Sequence, residues 1–62
     1  MYGTKIKKYI NSRGITQSYI AKKAGISVSV FSAMLNNKRK ITIEEYVTIC
    51  KALDVNASYF FD

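Results

Sequence analysis

The chain has 62 residues, of which 48% are hydrophobic, and a net charge of +6. A chain of this length forms one domain near the lower limit for a self-sufficient hydrophobic core, and its apolar content argues against a disordered chain. The single cysteine excludes an internal disulfide, and with no histidine the parts of a metal or hydrolase site are missing. We therefore expect one domain over residues 1–62 that is not an enzyme and uses no cofactor.

Positive charge is concentrated in the first two-thirds of the chain. Residues 1–40 hold nine cations and no acid, whereas residues 41–62 hold four acids and one cation. This asymmetry indicates a polyanionic partner, although a surface kept soluble by charge is an open alternative. Neither a secretion signal nor an apolar run of about 18 residues is evident, so we expect no membrane association and a cytoplasmic location.

The first predicted helix covers about residues 4–13. Its apolar face carries Ile6, Tyr9 and Ile10 at helical spacing, and Gly14 is a candidate C-cap. Only one side of this helix can face a nucleic acid, and the sequence does not decide among its lysines, Lys5, Lys7 and Lys8. Because proline is absent, the helices are expected to be separated by a few punctuating residues: Gly3, Gly14, Gly25, Asn36 and Asn37.

Two short helices follow. Thr16 is predicted to cap a second helix over about residues 17–23, and Ser27 to cap a third. The residues expected to face the core are small in the second helix and large in the third: Ile20, Ala21, Ala24, Phe31, Met34 and Leu35. Together the two helices form a candidate helix-turn-helix over about residues 17–36.

The rest of the chain also reads as helical. Asn37 suits a left-handed helix terminus, and a basic loop follows it. Thr42 with Glu45 predicts a capping box for a fourth helix, which we prefer to the strand that the β-branched residues near 41–49 would favour. Asn56 could cap a last short helix ending in Tyr59-Phe60-Phe61, so the predicted fold class is all-α with five helices.

The turn between the second and third helices has the composition of a DNA-binding helix-turn-helix. Ala21 permits close approach of the two helices, Gly25 serves the turn, and larger residues fill the angle between them. The stretches GITQSYIAKKAGIS, NNKRK and ICKALDVNASYFF resemble the lambda-repressor-like, Cro/CI-type helix-turn-helix family of the xenobiotic-response-element class. The resemblance spans nearly the whole chain, in order and without a gap.

This resemblance implies a compact five-helix domain that binds double-stranded DNA. The third helix would enter the major groove, and a homodimer, formed at least on DNA, would bind a two-fold-related operator. The protein would be a phage- or mobile-element-type repressor, encoded by a bacterium or phage and associated with the nucleoid, with no small-molecule effector. By position, the phosphate-binding residues would be Gln17, Asn36, Lys38, Arg39 and Lys40. The base-facing residues would be Val28, Ser29, Ser32 and Ala33.

Two departures from the family pattern lead to predictions. Val28 and Ala33 cannot form bidentate bonds to bases but can contact thymine methyls, so we expect a loose, thymine-containing consensus that depends on DNA shape. Many family members have an arginine at the position of Ile10 and a glutamate at the position of Leu35. Both are apolar here, and replacing a buried ion pair in full can be neutral or stabilising, so we expect Ile10 to contact Leu35.

Other features have simpler interpretations. Cys50 is expected to be a small buried hydrophobe, and Lys22 and Lys23 a solvated face. Phe60 is expected in the core. Exposed apolar residues could form a dimer patch of Ile41, Val47, Tyr59 and Phe61, with fraying of the chain end as the alternative. The alternative function is a protein-interaction module, antirepressor-like or antitoxin-like, that docks through an apolar third-helix surface made by Val28, Val30 and Ala33.

Overall fold

A computed structural model describes residues 2–61. In these residues the chain forms four α-helices and one short 3-10 turn, here called the C-terminal turn, and no strand. The elements are α1 Tyr2–Ser12, α2 Gln17–Ala24, α3 Val28–Leu35, α4 Ile43–Leu53 and the C-terminal turn Ala57–Phe60. The all-α prediction is confirmed, as is the choice of helix over strand for α4. Met1 and Asp62, the ends of the predicted domain, lie outside the described residues.

The prediction of five helices is wrong at its last member. The segment Ala57–Phe60 forms a single 3-10 turn, in which the Tyr59 N–H donates to the Asn56 carbonyl at 2.9 Å. Four residues are too few to repeat the α-helical bonding pattern, so the tighter turn is preferred. Asn56 has the extended backbone of an N-cap, but its side chain makes no capping hydrogen bond.

The prediction that Gly3 separates elements is also wrong, because α1 begins at Tyr2 and includes it. Gly3 is buried where α1 meets the end of α3. A Cβ added there would lie 2.2 Å from the Met34 carbonyl oxygen and 2.7 Å from Asn37 Oδ1. The missing side chain therefore permits a close approach of two main chains, which is a role glycine has in addition to turn formation.

The predicted N-caps are confirmed for the three helices after α1. The Thr16 hydroxyl accepts from the Tyr19 N–H at 3.1 Å, and the Ser27 hydroxyl accepts from the Val30 N–H at 3.3 Å. At α4 the capping box is complete. The Glu45 N–H donates to the Thr42 hydroxyl at 3.1 Å, and the Thr42 N–H donates to the Glu45 carboxylate at 2.9 Å.

All four helices end in the same way. A residue with positive φ follows each helix within two positions, at Gly14, Gly25, Asn37 and Asp54. The next residue then donates its N–H to the carbonyl five positions earlier, at distances between 2.8 and 3.0 Å. This is the bonding of a Schellman motif, which satisfies carbonyls left unpaired at a helix end. Gly14 and Asn37 match their predicted roles, whereas Asp54 was not predicted.

The core is built from all five elements. Its largest fully buried side chains are Ile6, Ile10, Ile20, Phe31, Met34, Leu35, Ile49 and Cys50. Phe60 is also buried, so the predictions for Cys50 and Phe60 are confirmed, and burial raises the pKa of the Cys50 thiol. Ile10 and Leu35 belong to the same core on two helices that pack together, and their direct contact stays a prediction.

An aromatic layer holds the C-terminal turn against α1 and α4. The Tyr46 hydroxyl donates to the Ala57 carbonyl, and the Tyr46 ring lies 5.3 Å from that of Tyr2 and 6.4 Å from that of Phe60. Burial raises the pKa of Tyr46 to about 12. From the other side, Lys5 Nζ donates to the Phe60 carbonyl at 3.2 Å. The C-terminal turn is thus part of the domain packing although it has only four residues.

Candidate nucleic-acid interface

The helix-turn-helix consists of α2, α3 and the three-residue turn between them. Gly25 ends α2 with φ of 73°, and the Ile26 N–H donates to the Ala21 carbonyl at 2.9 Å. Ser27, the last residue of the turn, then caps α3, which starts at Val28. Both helices bury their inner faces in the core and pack on each other. The packing of the inner face of α3 therefore fixes the position of its outer face.

The four predicted base-facing residues are not equally accessible. Val28 is 48% exposed and Ser29 is also exposed, whereas Ser32 and Ala33 are half-buried. The first turn of α3 is thus its most accessible part. The apolar surface considered for a protein partner consists of Val28, Val30 and Ala33. Val30 packs against the core, so it is not available to such a partner.

The basic loop Lys38–Lys40 is exposed and follows α3 after Asn36 and Asn37. Its three residues line one side of an open groove of about 540 Å³ between the loop and the start of α1. Tyr2, Gly3 and Ile41 line the same groove. The predicted phosphate-binding cations are therefore grouped on one exposed surface.

An acidic residue in the first turn of α4, Glu45, contacts this basic loop and was omitted from the site prediction. Arg39 Nη1 is 3.0 Å from Glu45 Oε1 and also donates to the Lys40 carbonyl at 3.2 Å. The bond from Arg39, followed by the bond from the Thr42 N–H, lowers the pKa of Glu45 to about 2. The same bond raises the pKa of Arg39. The Glu45 carboxylate thus caps α4 and at the same time binds Arg39, a predicted phosphate-binding residue.

The structure separates the three lysines of α1 that the sequence left undecided. Lys5 turns toward the C-terminal turn, while Lys7 Nζ donates to Asn36 Oδ1 at the end of α3, at 2.7 Å. Lys8 is exposed. Sequence reasoning did not single out Lys7, because its partner is 29 residues away and no local pattern connects them.

Asn36 is engaged on both sides of its amide. While its oxygen accepts from Lys7, its Nδ2 donates to the Ser32 carbonyl at 3.0 Å and reaches the Ser32 hydroxyl at 3.4 Å. The structure therefore connects a predicted phosphate-binding residue, Asn36, with a predicted base-facing one, Ser32.

The remaining predicted residues lie apart from this group along the chain. Gln17 is half-buried and begins α2. Lys22 and Lys23 are exposed in the last turn of α2, as expected, and Lys23 Nζ lies 5.7 Å from the centre of the Tyr19 ring. Tyr19 is itself 59% exposed and was not considered in the sequence analysis.

The four residues of the predicted dimer patch have different surroundings. Tyr59 and Phe61 are about half exposed. The Tyr59 ring meets Tyr9 edge-on at 5.2 Å, and the Phe61 ring stacks on Tyr46 at 6.0 Å. Ile41 and Val47 are half-buried. Self-association through these residues stays a prediction.

Within residues 2–61, no helix is long and apolar enough to cross a membrane. No cluster of three or more histidine, cysteine or acidic residues that could hold a metal ion is present in the same range.

Comparison with known proteins agrees with this geometry. A helix-turn-helix family matches residues 6–60. The crystal structure of SinR, a master regulator for biofilm formation, in complex with DNA matches with a TM-score of 0.85 and 30% sequence identity, covering 100% of both chains. No curated protein sequence matches. The fold and site thus define a helix-turn-helix protein. The chain belongs to the Cro/CI-type helix-turn-helix family, a class of DNA-binding transcriptional regulators.

Proposed function

We propose that this protein is a sequence-specific transcriptional repressor of the phage or mobile-element type, acting on the nucleoid in the cytoplasm. It binds a two-fold-related operator on double-stranded DNA as a homodimer. The observation that carries the proposal is the exposed basic loop Lys38–Lys40, which follows the exposed face of a packed helix-turn-helix. Repression then needs only occupancy of the operator, which excludes polymerase, so no cofactor or effector is required.

In this proposal α3 lies in the major groove, and residues at both ends of the helix-turn-helix bind phosphates. Gln17 stands in the first turn of α2, where unpaired N–H groups favour anions. Lys38, Arg39 and Lys40 bind phosphates from the loop, and Asn36 contributes by holding Lys7 beside the end of α3. These contacts set the position of the protein without reading the base sequence.

Base reading comes from Val28, Ser29, Ser32 and Ala33. The exposed Val28 contacts thymine methyl groups, and the serines hydrogen-bond base edges. None of the four can make a bidentate bond to guanine or adenine. We therefore propose a loose, thymine-containing half-site in which DNA shape carries part of the specificity. A sharply defined, guanine-rich half-site in a selection from random duplexes would contradict this reading.

Dimer formation places two copies of α3 in successive major grooves on one face of the duplex, about one helical turn apart. Ile41, Val47, Tyr59 and Phe61 are the proposed contact patch. Tyr59 and Phe61 support this role because each leaves about half its surface exposed beside the aromatic layer. Light scattering of the protein alone and with a selected duplex measures the number of protomers in each state.

The first test is fluorescence anisotropy of a random duplex titrated at ~50 and ~200 mM salt. Three loop cations per protomer make six phosphate contacts in a dimer, which predicts a slope of log K against log salt of about −5. The affinity should therefore fall about 10³-fold between the two salt concentrations. No measurable binding at low salt would reject the proposal.

A matched pair of double variants tests where the charge acts. Lys38→Gln with Lys40→Gln removes four of the six contacts, so the slope should fall to about −2. Lys22→Gln with Lys23→Gln makes the same change in net charge on the exposed end of α2 and should leave the slope close to that of the wild type. Equal effects of the two variants would indicate net charge and exclude a defined basic loop.

The alternative function is a protein-interaction module on the same fold, of the antirepressor or antitoxin type. The observation in its favour is the exposure of Val28, an apolar residue at 48%, on the outer face of α3. The burial of Val30 against the core and the absence of acids from residues 1–40 argue against it. Failure of the DNA titration would leave this function as the better one.

A further inference from the structure

Ser32 is the one predicted base-facing residue whose side chain is bonded to another side chain. Asn36 Nδ2 lies 3.4 Å from the Ser32 hydroxyl oxygen and 3.0 Å from the Ser32 carbonyl oxygen. Asn36 Oδ1 in turn accepts from Lys7 Nζ at 2.7 Å. A chain of hydrogen bonds thus runs from α1, through the end of α3, to the outer face of α3.

The chemistry of the two outer partners sets the orientation of the Asn36 amide. A lysine ammonium has only donors, so the amide group that faces Lys7 must be the oxygen. A backbone carbonyl has only acceptors, so the group that faces Ser32 must be the NH₂. Reversing the amide would break both bonds, and the Ser32 hydroxyl oxygen therefore receives a hydrogen bond.

The proton of the Ser32 hydroxyl is left for an outside partner. Two other helical hydroxyls of this protein donate to carbonyls of their own helix: Ser12 to Tyr9 at 2.8 Å, and Thr48 to Glu44 at 2.9 Å. Within residues 2–61, the Ser32 hydroxyl has no such acceptor, since its one bond is the bond that it accepts. A free serine hydroxyl both donates and accepts hydrogen bonds. Because the Ser32 hydroxyl oxygen already accepts one from Asn36, this hydroxyl is biased toward donating.

We infer that Asn36 and Lys7 together bias Ser32 toward donating a hydrogen bond to DNA, so that Ser32 favours a base that offers an acceptor. This inference rests on the proposed function. In the major groove, guanine N7 and O6, adenine N7 and thymine O4 are acceptors, whereas cytosine offers only its N4 amino donor. Cytosine is therefore the base that Ser32 disfavours, and it should be depleted at one position in each half-site.

Asn36 then has a different role from the phosphate binding that its position in the family implies. Its amide is occupied on both sides within the protein, which leaves the loop cations Lys38, Arg39 and Lys40 as the phosphate-binding groups at this end of α3. Asn36 is then a positioning residue, because it sets base preference through Ser32 without contacting a base.

The test is selection of bound sequences from a random duplex library, carried out with the wild type and with variants. Ser32→Ala identifies the position that Ser32 reads, because base preference there disappears. At that position the wild type should deplete cytosine about two- to tenfold, which is the discrimination expected from one hydrogen bond. Asn36→Ala and Lys7→Met should each relax this depletion, since the hydroxyl can then also accept from cytosine.

Asn36→Asp provides the sharpest variant. The new carboxylate still accepts from Lys7. It is repelled by the Ser32 carbonyl, so it turns toward the Ser32 hydroxyl and accepts its proton, which leaves the hydroxyl oxygen only as an acceptor. Cytosine and adenine, the bases with amino donors in the major groove, should then be enriched at the same position. Ser29→Ala is the matched control: it should alter a different position, and Asn36→Ala should leave that position unchanged.

The outcomes separate the inference from the function on which it rests. If the wild type selects no motif, sequence-specific binding itself is rejected. If the wild type selects a motif but no position responds to Ser32→Ala, the inference alone is overturned. The same conclusion follows if cytosine is accepted at the responding position, or if its depletion persists in Asn36→Ala and Asn36→Asp. Circular dichroism should confirm that each variant is folded, as expected for substitutions of the exposed Asn36.

Discussion

The close approach of α1 to α3 at Gly3 leads to a prediction about stability. In Gly3→Ala the added Cβ would lie 2.2 Å from the Met34 carbonyl oxygen, against 3.4 Å at the near edge of ordinary contact. The neighbour is main chain, so no side-chain rotation can relieve the overlap, and the two helices must separate by roughly 1 Å. Gly3→Ala should therefore destabilise the domain although alanine is the better helix former.

The magnitude follows from two opposing effects. Overpacking in a close-packed interior costs about 1–3 kcal/mol, and replacing glycine with alanine in a helix returns at most about 1 kcal/mol. A main-chain overlap this close places the cost in the upper part of that range, about 2–3 kcal/mol, so the net loss should be about 1–2 kcal/mol. In a domain of this size that corresponds to a fall in Tm of about 4–16 °C, which thermal unfolding followed by circular dichroism would measure.

Gly14 provides the matched control, because it acts through a different property. It has φ of 68° and nothing within 4 Å of an added Cβ, so Gly14→Ala strains the backbone without a clash. Asparagine tolerates positive φ, so Gly14→Asn should recover part of the loss, whereas Gly3→Asn should be at least as damaging as Gly3→Ala. A Gly3→Ala variant as stable as the wild type would refute the steric reasoning.

Three other predictions concern the capping box and the aromatic layer. Thr42→Ala should lower the free energy of unfolding by about 1 kcal/mol in a denaturant titration, because it removes the α4 cap. Glu45→Gln retains an oxygen for the Thr42 N–H but releases Arg39, so DNA affinity should rise several-fold in the anisotropy assay. The salt slope should stay at about −5, because Arg39 is already counted among the six phosphate contacts. Weaker binding would instead show that Glu45 positions the loop. Because the folded-state pKa of Tyr46 is raised to about 12, its stabilising contribution is complete below about pH 10 and is lost as pH rises toward 12. Spectrophotometric titration in which all five tyrosines ionise together near pH 10 would contradict this.

Features encoded by nearby residues could be predicted from the sequence. The caps at Thr16, Ser27 and Thr42 depend on a side chain and an N–H three positions later, so composition and spacing were sufficient. The left-handed position of Asn37 is equally local. The core residues of α3 followed from helical periodicity, because that helix has one inner face.

Features that depend on distant residues were missed. Gly3 was read as a break between elements, since nothing near it in sequence reveals the Met34 carbonyl that it meets. The bond from Lys7 to Asn36 spans 29 positions. Ile43 belongs to the apolar pattern of α4 but is 82% exposed. Tertiary packing decides such cases, and a local pattern cannot supply it.

The single cysteine of this protein has a practical consequence. Cys50 is 1% exposed on α4, and burial raises the pKa of its thiol. A thiol reagent can therefore reach it only when α4 leaves the core, so the labelling rate reports how often the native domain opens. Bound DNA should slow this labelling by the factor 1 + [DNA]/Kd, because a ligand of the folded state suppresses opening. The labelling rate of the Cys50 thiol in the unmodified protein thus reports both the stability of the domain and its binding to DNA.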